Sequence, residues 1–245
     1  MGQIITVVSG KGGTGKTTVC GALGAALASL GKRTLCIDAD AGLRNLDITL
    51  GLESYSPPDL LAAMRGEVKL SDCIVNHPSI PNLSFIPAPF GDDLPDDAEY
   101  KRKLAADYDF VLVDAPAGIK RDFDAAAAGA DSALIVVTTD ASSYRDAGRI
   151  VSKLRGLGIT SARLIVNRIR PAVLRRWKTT VDDAVDAVGV RLIGIAPEDK
   201  NVILAANLGK PLMLYSERGA AAAFGRIARR LTGEKLPIGR LHYNF

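Results

Sequence analysis

Short, almost wholly apolar runs recur along the chain, and each has the length of a β-strand. Most of them lack polar alternation, which is typical of strands buried on both faces of a parallel sheet. The runs that predict strands are residues 3–9, 33–40, 83–88, 109–116, 132–139, 162–169 and 191–197.

Between these runs the apolar positions change to a helical spacing. Residues 145–158 carry apolar side chains at i, i+3 and i+4 intervals, which predicts an amphipathic helix. Helices are also predicted over residues 16–31, 181–189 and 218–233, and Gly31 is expected to close the first of them. The apolar face of the helix over 145–158 is expected to comprise Ile150, Val151, Leu154 and Leu157.

The alternation of strand and helix predicts an α/β fold, with a doubly wound, mostly parallel sheet flanked by helices on both faces. No linker-like change of composition and no internal repeat divides the chain. We therefore expect one large domain over residues 1–235 and a C-terminal tail over residues 236–245. Residues 91–103 are polar and charged, and predict a surface loop or the start of a helix with no assigned chemistry.

Composition and charge exclude few functions. The 47% hydrophobic and 24% charged fractions are ordinary for a globular protein, and the net charge of +4 permits contact with an anionic surface without requiring it. The three cysteines, Cys20, Cys36 and Cys73, form no C-x-x-C pair, which favours a reducing cytoplasm over a disulfide framework. No run approaches the ~20 apolar residues of a membrane span, so we expect any membrane contact to be peripheral.

Residues 10–18 read GKGGTGKTT and carry the strongest chemical signal in the chain. They match the P-loop template G-x-x-x-x-G-K-[ST], with an apolar strand before and a helix after. In such a loop the backbone N–H groups surround phosphates, Lys16 contacts the β- and γ-phosphates, and Thr17 is a ligand for Mg²⁺. The predicted phosphate-binding residues are Gly10, Lys11, Gly12, Gly13, Thr14, Gly15, Lys16, Thr17 and Thr18.

Carboxylates end two of the predicted strands. Asp38 and Asp40 end the run over 33–40, and Asp114 follows four apolar residues in the run over 109–116. Open α/β sheets bind ligands at the carboxyl ends of their strands, and a P-loop protein needs a carboxylate near its metal ion. The sequence therefore predicts that these three carboxylates serve the nucleotide site.

Six stretches together carry a resemblance to a known family. The chain from about residue 2 to residue 235 resembles the MinD family, within the ParA/MinD group of P-loop ATPases, whose deviant Walker A loop has an extra early lysine. The stretches GLRNLD and NRIRP are more specific than the P-loop, which indicates only the superfamily. The six are KGGTGKTT (11–18), DADAGLRNLDITLGLE (38–53), DAPAGI (114–119), VNRIRP (166–171), VDDAV (181–185) and GIAPED (194–199).

The resemblance implies a role for each matched residue, with ATP and Mg²⁺ as cofactors. Lys11 would reach the nucleotide of a second subunit in an ATP-bound homodimer, as an arginine finger does. Asp40 would position the attacking water, and Asn45 would lie in a nucleotide-sensing switch. Lys11, Lys16 and Asp40 would then be catalytic, and the metal shell would comprise Thr17, Asp38 and Asp114. The adenine would be read by Asn167 and bordered by Arg168, Pro197, Glu198 and Asp199.

The resemblance also implies a function and its partners. The chain would be an ATP-hydrolysing dimerisation switch that binds the inner face of the cell membrane in its ATP form and helps to place the division septum. Residues 142–150 resemble the helix start at which family members meet the inhibitor MinC and the activator MinE; Asp146 matches, and Gly148 stands where an acidic residue can occur.

The C-terminal tail departs from the family pattern, which is an amphipathic membrane-binding helix after a spacer. Its apolar residues are interrupted by Pro237 and Gly239, which are poor helix formers, and the spacer is nearly absent. The apolar residues of the tail are Leu236, Ile238, Leu241, Tyr243 and Phe245.

Three other functions stay open at this level. A DNA-partitioning ATPase of the ParA kind would use the basic stretches 168–178 and 226–230 to contact phosphates without reading sequence. A flagellar or polar-placement ATPase would differ mainly in its partners. An iron–sulfur reductase like the nitrogenase iron protein would need two cysteines in each subunit facing a cluster.

Overall fold

One sheet of eight strands organises the described residues of the computed structural model, which are 1–41, 44–89, 98–119 and 121–238. The strand order is β3-β4-β2-β5-β1-β6-β7-β8, and every neighbouring pair is parallel except β3 with β4. The predicted fold class is confirmed. The strands are β1 (Gln3–Val8), β2 (Thr34–Asp38), β3 (Val75–Asn76), β4 (Leu83–Ile86), β5 (Phe110–Asp114), β6 (Ser132–Val137), β7 (Ala162–Ile169) and β8 (Arg191–Pro197).

Helices cover both faces of this sheet. A 3₁₀ turn spans Leu70–Cys73, and none of the helices among the described residues has the length and hydropathy needed to traverse a bilayer. The helices are α1 (Lys16–Ser29), α2 (Leu46–Leu50), α3 (Leu60–Met64), α4 (Glu99–Leu104), α5 (Arg121–Ala127), α6 (Ala141–Gly156), α7 (Pro171–Trp177), α8 (Val181–Val188), α9 (Lys200–Asn207), α10 (Leu212–Tyr215) and α11 (Gly219–Leu231).

The apolar strands have no solvent-exposed face because each of their sides joins a separate core. Ile4 and Val8 of β1 pack in the layer that contains α4, α5, α6 and α8, whereas Ile5 and Val7 pack in the layer that contains α1, α2 and α11. Successive side chains of a strand point to opposite faces, so an unbroken apolar run is what a sheet between two cores requires. This is the physical reason for the missing alternation in the sequence.

The predicted strands agree with the structure to within two residues at each end, but two local predictions are wrong. The helix predicted over 145–158 begins earlier, at Ala141, because the Asp140 side chain accepts a hydrogen bond from the Ser143 N–H and caps it. Leu157 lies beyond the last turn of α6 and is 41% exposed, so it does not belong to the buried face. The two-residue strand β3 is too short to give a sequence signal.

The polar segment 91–103 contains a buried cation that the sequence did not indicate; within it, residues 91–97 lie outside the described part of the chain. Lys101 of α4 has no exposed surface, and its ammonium donates hydrogen bonds to three main-chain carbonyls at the end of α5. A helix C-terminus concentrates negative partial charge, so it stabilises a cation placed there. The acceptors are the carbonyls of Ala125, Ala126 and Ala128.

His77 is a buried histidine whose pKa is lowered, mainly by burial. Its Nδ1 accepts hydrogen bonds from the N–H groups of Ser79 and Ile80, so the other ring nitrogen carries the proton and bonds the Leu50 carbonyl. Protonation of Nδ1 would break both accepted bonds. The stabilisation of the folded state by neutral His77 is therefore complete above the pKa of histidine in the unfolded chain, about 6.5. It is lost as the pH falls through the lower pKa of the folded state.

We expect the free-energy difference of unfolding between wild type and His77→Gln to be largest near pH 7.5. It should shrink below pH 6.5, by at most about 1.4 kcal/mol per pH unit for one proton. Urea unfolding at several pH values measures it. The comparison with the variant is needed because burial raises the pKa of Asp38 to about 7. Ionisation of Asp38 therefore lowers the free energy of unfolding as the pH rises, which is opposite to the effect of His77. A difference that does not change with pH would contradict the assigned protonation state.

The strand order brings three loops to one edge of the sheet. Because β5 lies between β1 and β2, the segments that follow the carboxyl ends of these three strands are neighbours. The segment after β7 reaches the same edge on the other side of β6. This edge carries the P-loop, the predicted carboxylates and Asn167.

Candidate functional site: a nucleotide pocket at the carboxyl edge of the sheet

The P-loop connects β1 to α1 in a conformation that needs glycine at two positions. Gly13 and Gly15 have φ angles of 81° and 83°, in the left-handed region. A Cβ added to Gly15 would lie 2.5 Å from the Asn167 side-chain nitrogen, so glycine here also permits a close approach. The N-terminus of α1 begins at Lys16, and its free N–H groups provide an anion site.

Lys16 points into the molecule and pairs with a strand-end carboxylate. Its Nζ lies 2.6 Å from Asp114 Oδ1, and the two side chains are only 6% and 1% exposed. Burial raises the pKa of Asp114, and the positive charge of Lys16 and the nearby Thr17 side chain oppose that rise. Removal of one partner from such a pair costs about 3–5 kcal/mol, so Lys16 holds the carboxylate as well as facing phosphate.

Two further carboxylates lie beside this pair. Asp38 is the register partner of Asp114 across β2 and β5, and it accepts hydrogen bonds from the N–H groups of Asp40 (2.9 Å) and Leu46 (3.2 Å). Asp40 is half-buried and close enough to Asp114 for its charge to raise the pKa of that carboxyl. The predicted carboxylates therefore do meet, and Asp38 also ties the loop after β2 to the start of α2.

The residues fit a site for Mg²⁺ and phosphate. Asp114 Oδ2 and the Thr14 hydroxyl are buried and have no hydrogen-bond partner among the described residues, so each has capacity for a ligand. The described residues contain no cluster of three or more His, Cys, Asp or Glu that would hold a metal ion on its own. Magnesium typically takes one or two protein ligands together with water and substrate phosphates, which agrees with this sparse set.

A cavity of about 590 Å³ lies beside the P-loop and collects the residues predicted to border a base. Asn167 is buried, and its amide nitrogen donates to the Thr14 carbonyl at 2.9 Å, which leaves its oxygen available to a ligand. The apolar far wall, from α9 and α11, had no sequence signal because it depends on tertiary packing. The lining includes Gly15, Thr18, Asn167, Arg168, Pro197, Glu198, Asp199, Val202, Ile203 and Phe224.

Charged residues that line this cavity form hydrogen bonds and ion pairs within the protein, and these contacts hold the cavity walls in place. Arg168 donates to the Gly13 carbonyl at 2.9 Å and pairs with Glu198, which also pairs with Arg170. Asp199 accepts hydrogen bonds from the N–H groups of Asn201 and Ala220, and so connects α9 to α11. Asn167 and Arg168 thus hold consecutive carbonyls of the P-loop, whereas Asp199 fixes the wall of the cavity.

We expect Asn167→Ala to weaken ATP binding by about tenfold to a hundredfold, because it removes the amide that holds the Thr14 carbonyl and a side-chain group facing the base cavity. Isothermal titration with ATP measures the loss. Asn207→Ala is the matched control, because Asn207 is exposed at the end of α9 and does not line the cavity. Equal affinities of the wild type and Asn167→Ala would contradict the proposed contact.

Lys11 points away from Lys16 and toward the N-terminus of α6. Its Nζ lies 2.6 Å from Asp140 Oδ1 and 3.0 Å from the Ser142 hydroxyl, and about a third of the lysine side chain is exposed. Hydrogen bonds from Lys11, Ser142 and Thr138 hold the pKa of Asp140 well below its usual range, although burial opposes them. A second cavity, of about 340 Å³, opens here between Lys11, Asp140 and the exposed Trp177.

Asp140 is a residue of this region that sequence reasoning missed. A signal was available: Asp140 directly follows the apolar run over 132–139, and an Asp placed between a strand and a helix is a typical N-cap. The P-loop also touches α6 directly, since a Cβ added to Gly10 would lie 2.5 Å from the Asp146 Cβ. The predicted partner surface over 142–150 is therefore continuous with the P-loop.

For other predicted residues the described structure gives no side-chain contact with the site. Asn45 caps α2 without a side-chain hydrogen bond, and residues 42 and 43 of the GLRNLD stretch are outside the described residues. Cys20 and Cys36 are fully buried in the core that contains α1, which does not support an iron–sulfur reductase, whose cluster needs cysteines at a face. Gly239, Leu241, Tyr243 and Phe245 of the tail also lie outside the described part of the chain.

The P-loop carries two lysines that point in opposite directions. One contacts a buried carboxylate and the other contacts the surface rim, which defines a P-loop protein of the deviant Walker A class. The model of the CobQ/CobB/MinD/ParA nucleotide binding domain matches residues 5–212. The septum site-determining protein MinD of a Synechocystis strain is 41% identical over 97% of this chain and 92% of its own. The chain belongs to the MinD family of ATPases.

Solved structures of MinD proteins are similar over nearly the whole chain. MinD in the Aquifex aeolicus MinC:MinD complex is 39% identical, with a TM-score of 0.89 over 97% of this chain and 98% of that one. The Pyrococcus horikoshii MinD complexed with Mg-ADP is 30% identical, with a TM-score of 0.85 over 94% of this chain and 96% of that one.

Proposed function

We propose that this chain is an ATP-driven dimerisation switch that attaches to the membrane in its ATP form and recruits a division inhibitor. As a MinD-family ATPase it uses ATP and Mg²⁺ and acts in placing the division septum. The Aquifex relative forms a complex with MinC and the Pyrococcus relative binds Mg-ADP, which supports a MinC-like inhibitor as a partner here.

The opposite directions of the two P-loop lysines carry the proposal of a dimer. Lys16 is committed to Asp114 in the interior, whereas Lys11 is held only at a rim by Asp140 and Ser142. A lysine on the rim of its own site is well placed to enter the site of a second copy. Hydrolysis would then depend on dimerisation, because the second positive charge comes from the partner.

In this proposal, different residues of each subunit would bind the nucleotide, hold the metal ion and assist hydrolysis of ATP. The P-loop N–H groups and Lys16 bind phosphate, and Thr17, Asp38 and Asp114 hold the metal ion directly or through water. When bound, Mg²⁺ neutralises charge that develops on the phosphates. Asp40 orients the attacking water, and Lys11 of the second copy stabilises the charge of phosphoryl transfer. Asn167 orients the base, with Arg168, Pro197, Glu198 and Asp199 forming the wall beside it.

Partner and membrane contacts would lie on two other parts of the chain. Residues 142–150 of α6 would meet the MinC-like inhibitor and a MinE-like or other activator, and their contact with Gly10 would pass the effect to the P-loop. The tail over 236–245 would follow the ATPase domain over 1–235 and bind an anionic bilayer peripherally, on the cytoplasmic face. One short tail binds weakly, whereas two on a dimer gain from effective concentration.

Co-sedimentation with anionic lipid vesicles tests the proposal. The chain is mixed with vesicles in ATP and separately in ADP, and a variant that ends at residue 235 is the control. We expect pelleting of the full chain in ATP alone, and no pelleting of the shortened variant. Failure to pellet in both nucleotides would reject membrane attachment, and ATP-dependent retention of duplex DNA instead would favour a partitioning role.

A further inference from the structure

The chain turns back on itself where α11 ends. Gly233 has a φ of 94°, in the left-handed region, and reverses the chain direction after Leu231 and Thr232. Glu234 then pairs with Arg229 at 2.7 Å. The residues that follow therefore run back beside the last turns of α11 rather than continuing away from the domain.

Arg230 binds these returning residues to the edge of the sheet. Its guanidinium donates to the Leu236 carbonyl at 3.0 Å and to the Pro237 carbonyl, both in the tail, and to the Ile193 carbonyl of β8 at 3.0 Å. The strand β8 is the last in the sheet order, so Arg230 joins the tail to an edge strand. A planar guanidinium with several fixed donors suits this task better than the single ammonium of lysine.

The edge strand is shaped to receive the guanidinium. Leu164 and Ile165 of β7 are adjacent, but their partners on β8 are Leu192 and Gly194, so Ile193 is an extra residue in the ladder. An extra residue in a β-bulge is left out of strand pairing, which frees its carbonyl for another donor.

Gly194 supplies the space beside that bulge. A Cβ at this position would lie 2.3 Å from the Ile227 Cγ1 and 3.4 Å from the Arg230 Nη1. Helix α11 therefore lies directly on the strand here, with no room for a side chain between them. The bulge and the glycine are separate features of β8, and both make room for the Arg230 side chain beside the strand.

We propose that Arg230 is a clasp that holds residues 236–237 against β8 and so fixes the point at which the C-terminal tail leaves the domain. The clasp stands on these contacts alone, and its consequence for the membrane rests on the function proposed above. Tails that start from fixed points on two copies of the domain reach one surface at a higher effective concentration than tails released from an earlier residue.

Limited proteolysis of the folded full-length chain tests the clasp. An endoprotease specific for lysine cuts after Lys235, which is exposed and directly precedes the clasped residues. Mass spectrometry follows loss of residues 236–245 over time. Arg230→Met removes the guanidinium, Arg230→Gln keeps an N–H donor without the charge and adds no lysine site, and Arg226→Met is the matched control because Arg226 is exposed one turn earlier on α11.

We expect cleavage after Lys235 to be about tenfold faster in Arg230→Met than in the wild type, since bonds to a charged donor are lost. Arg230→Gln should fall between them, and Arg226→Met should match the wild type. Circular dichroism establishes whether each variant is folded. If Arg230→Met is not folded, the comparison of Arg230→Gln with the wild type decides. Equal cleavage of all the folded chains would overturn the clasp.

Vesicle binding separates this inference from the proposed function. If the wild type does not pellet with vesicles in ATP but cleavage after Lys235 responds to Arg230, the membrane proposal fails and the clasp stands. If the wild type pellets and cleavage does not respond, the clasp fails and the membrane proposal stands. If both the clasp and membrane attachment are correct, we expect Arg230→Met to bind vesicles in ATP several-fold more weakly than Arg226→Met.

Discussion

Replacement of Lys11 by alanine should abolish ATP-driven dimerisation and lower turnover by about 10³- to 10⁵-fold, the range known for a positive charge supplied by a second molecule in phosphoryl transfer. Binding of ATP to the single subunit should change little, because Lys16 and the P-loop N–H groups remain. Analytical gel filtration with a non-hydrolysable ATP analogue measures the dimer, and phosphate release measures turnover.

Two matched variants make this result specific to Lys11. Lys32→Ala removes a lysine at the opposite edge of the sheet, between α1 and β2, and should dimerise normally. Asp140→Asn removes the charge that holds Lys11 within its own subunit while keeping a side chain able to cap α6, and should retain turnover. Normal dimerisation of Lys11→Ala would contradict the proposed role of Lys11 in the nucleotide site of the second subunit.

The second large effect is expected from Asp40→Ala. Loss of the carboxylate that orients the attacking water should slow hydrolysis by about 10²- to 10⁴-fold. Lys11 and the metal-shell residues are unchanged, so dimerisation should persist and the ATP-bound dimer should accumulate. Single-turnover hydrolysis combined with gel filtration in ATP measures both quantities.

Asp107→Ala is the control for this variant. Asp107 is exposed just before β5, at the amino end of the strand whose carboxyl end carries Asp114. Its removal changes net charge by the same amount as Asp40→Ala without touching the site. Rapid turnover by Asp40→Ala, comparable to that of Asp107→Ala, would refute the role of Asp40 in positioning water.

Much of the fold and the phosphate half of the site could be predicted because they depend on local patterns. Buried strands give apolar runs, and the P-loop glycines must be adjacent in sequence to curl around phosphate. The carboxylates Asp38 and Asp114 were visible because parallel strands end at one edge of a sheet. Each of these signals lies within a few residues of the feature that it predicts.

The contacts that were missed join segments distant in sequence. Nothing near Lys101 indicates that its ammonium will meet the end of α5, and the bulge at Ile193 exists only relative to β7. Leu157 fits a helical period but lies past the last turn of α6, which ends at Gly156, two residues before Gly158 takes a left-handed φ of 83°. Periodicity locates a helix better than it locates the ends.

Consecutive residues are enough to identify this chain as an α/β P-loop protein with two lysines in the loop, because each of those properties is a local pattern. The partners of the two lysines follow from tertiary contacts instead. Asp114 is 98 residues from Lys16 and Asp140 is 129 residues from Lys11. The Lys16–Asp114 pair is buried, whereas about a third of each side chain in the Lys11–Asp140 pair is exposed. Side-chain direction depends on partners that folding brings together, and a local pattern does not contain them.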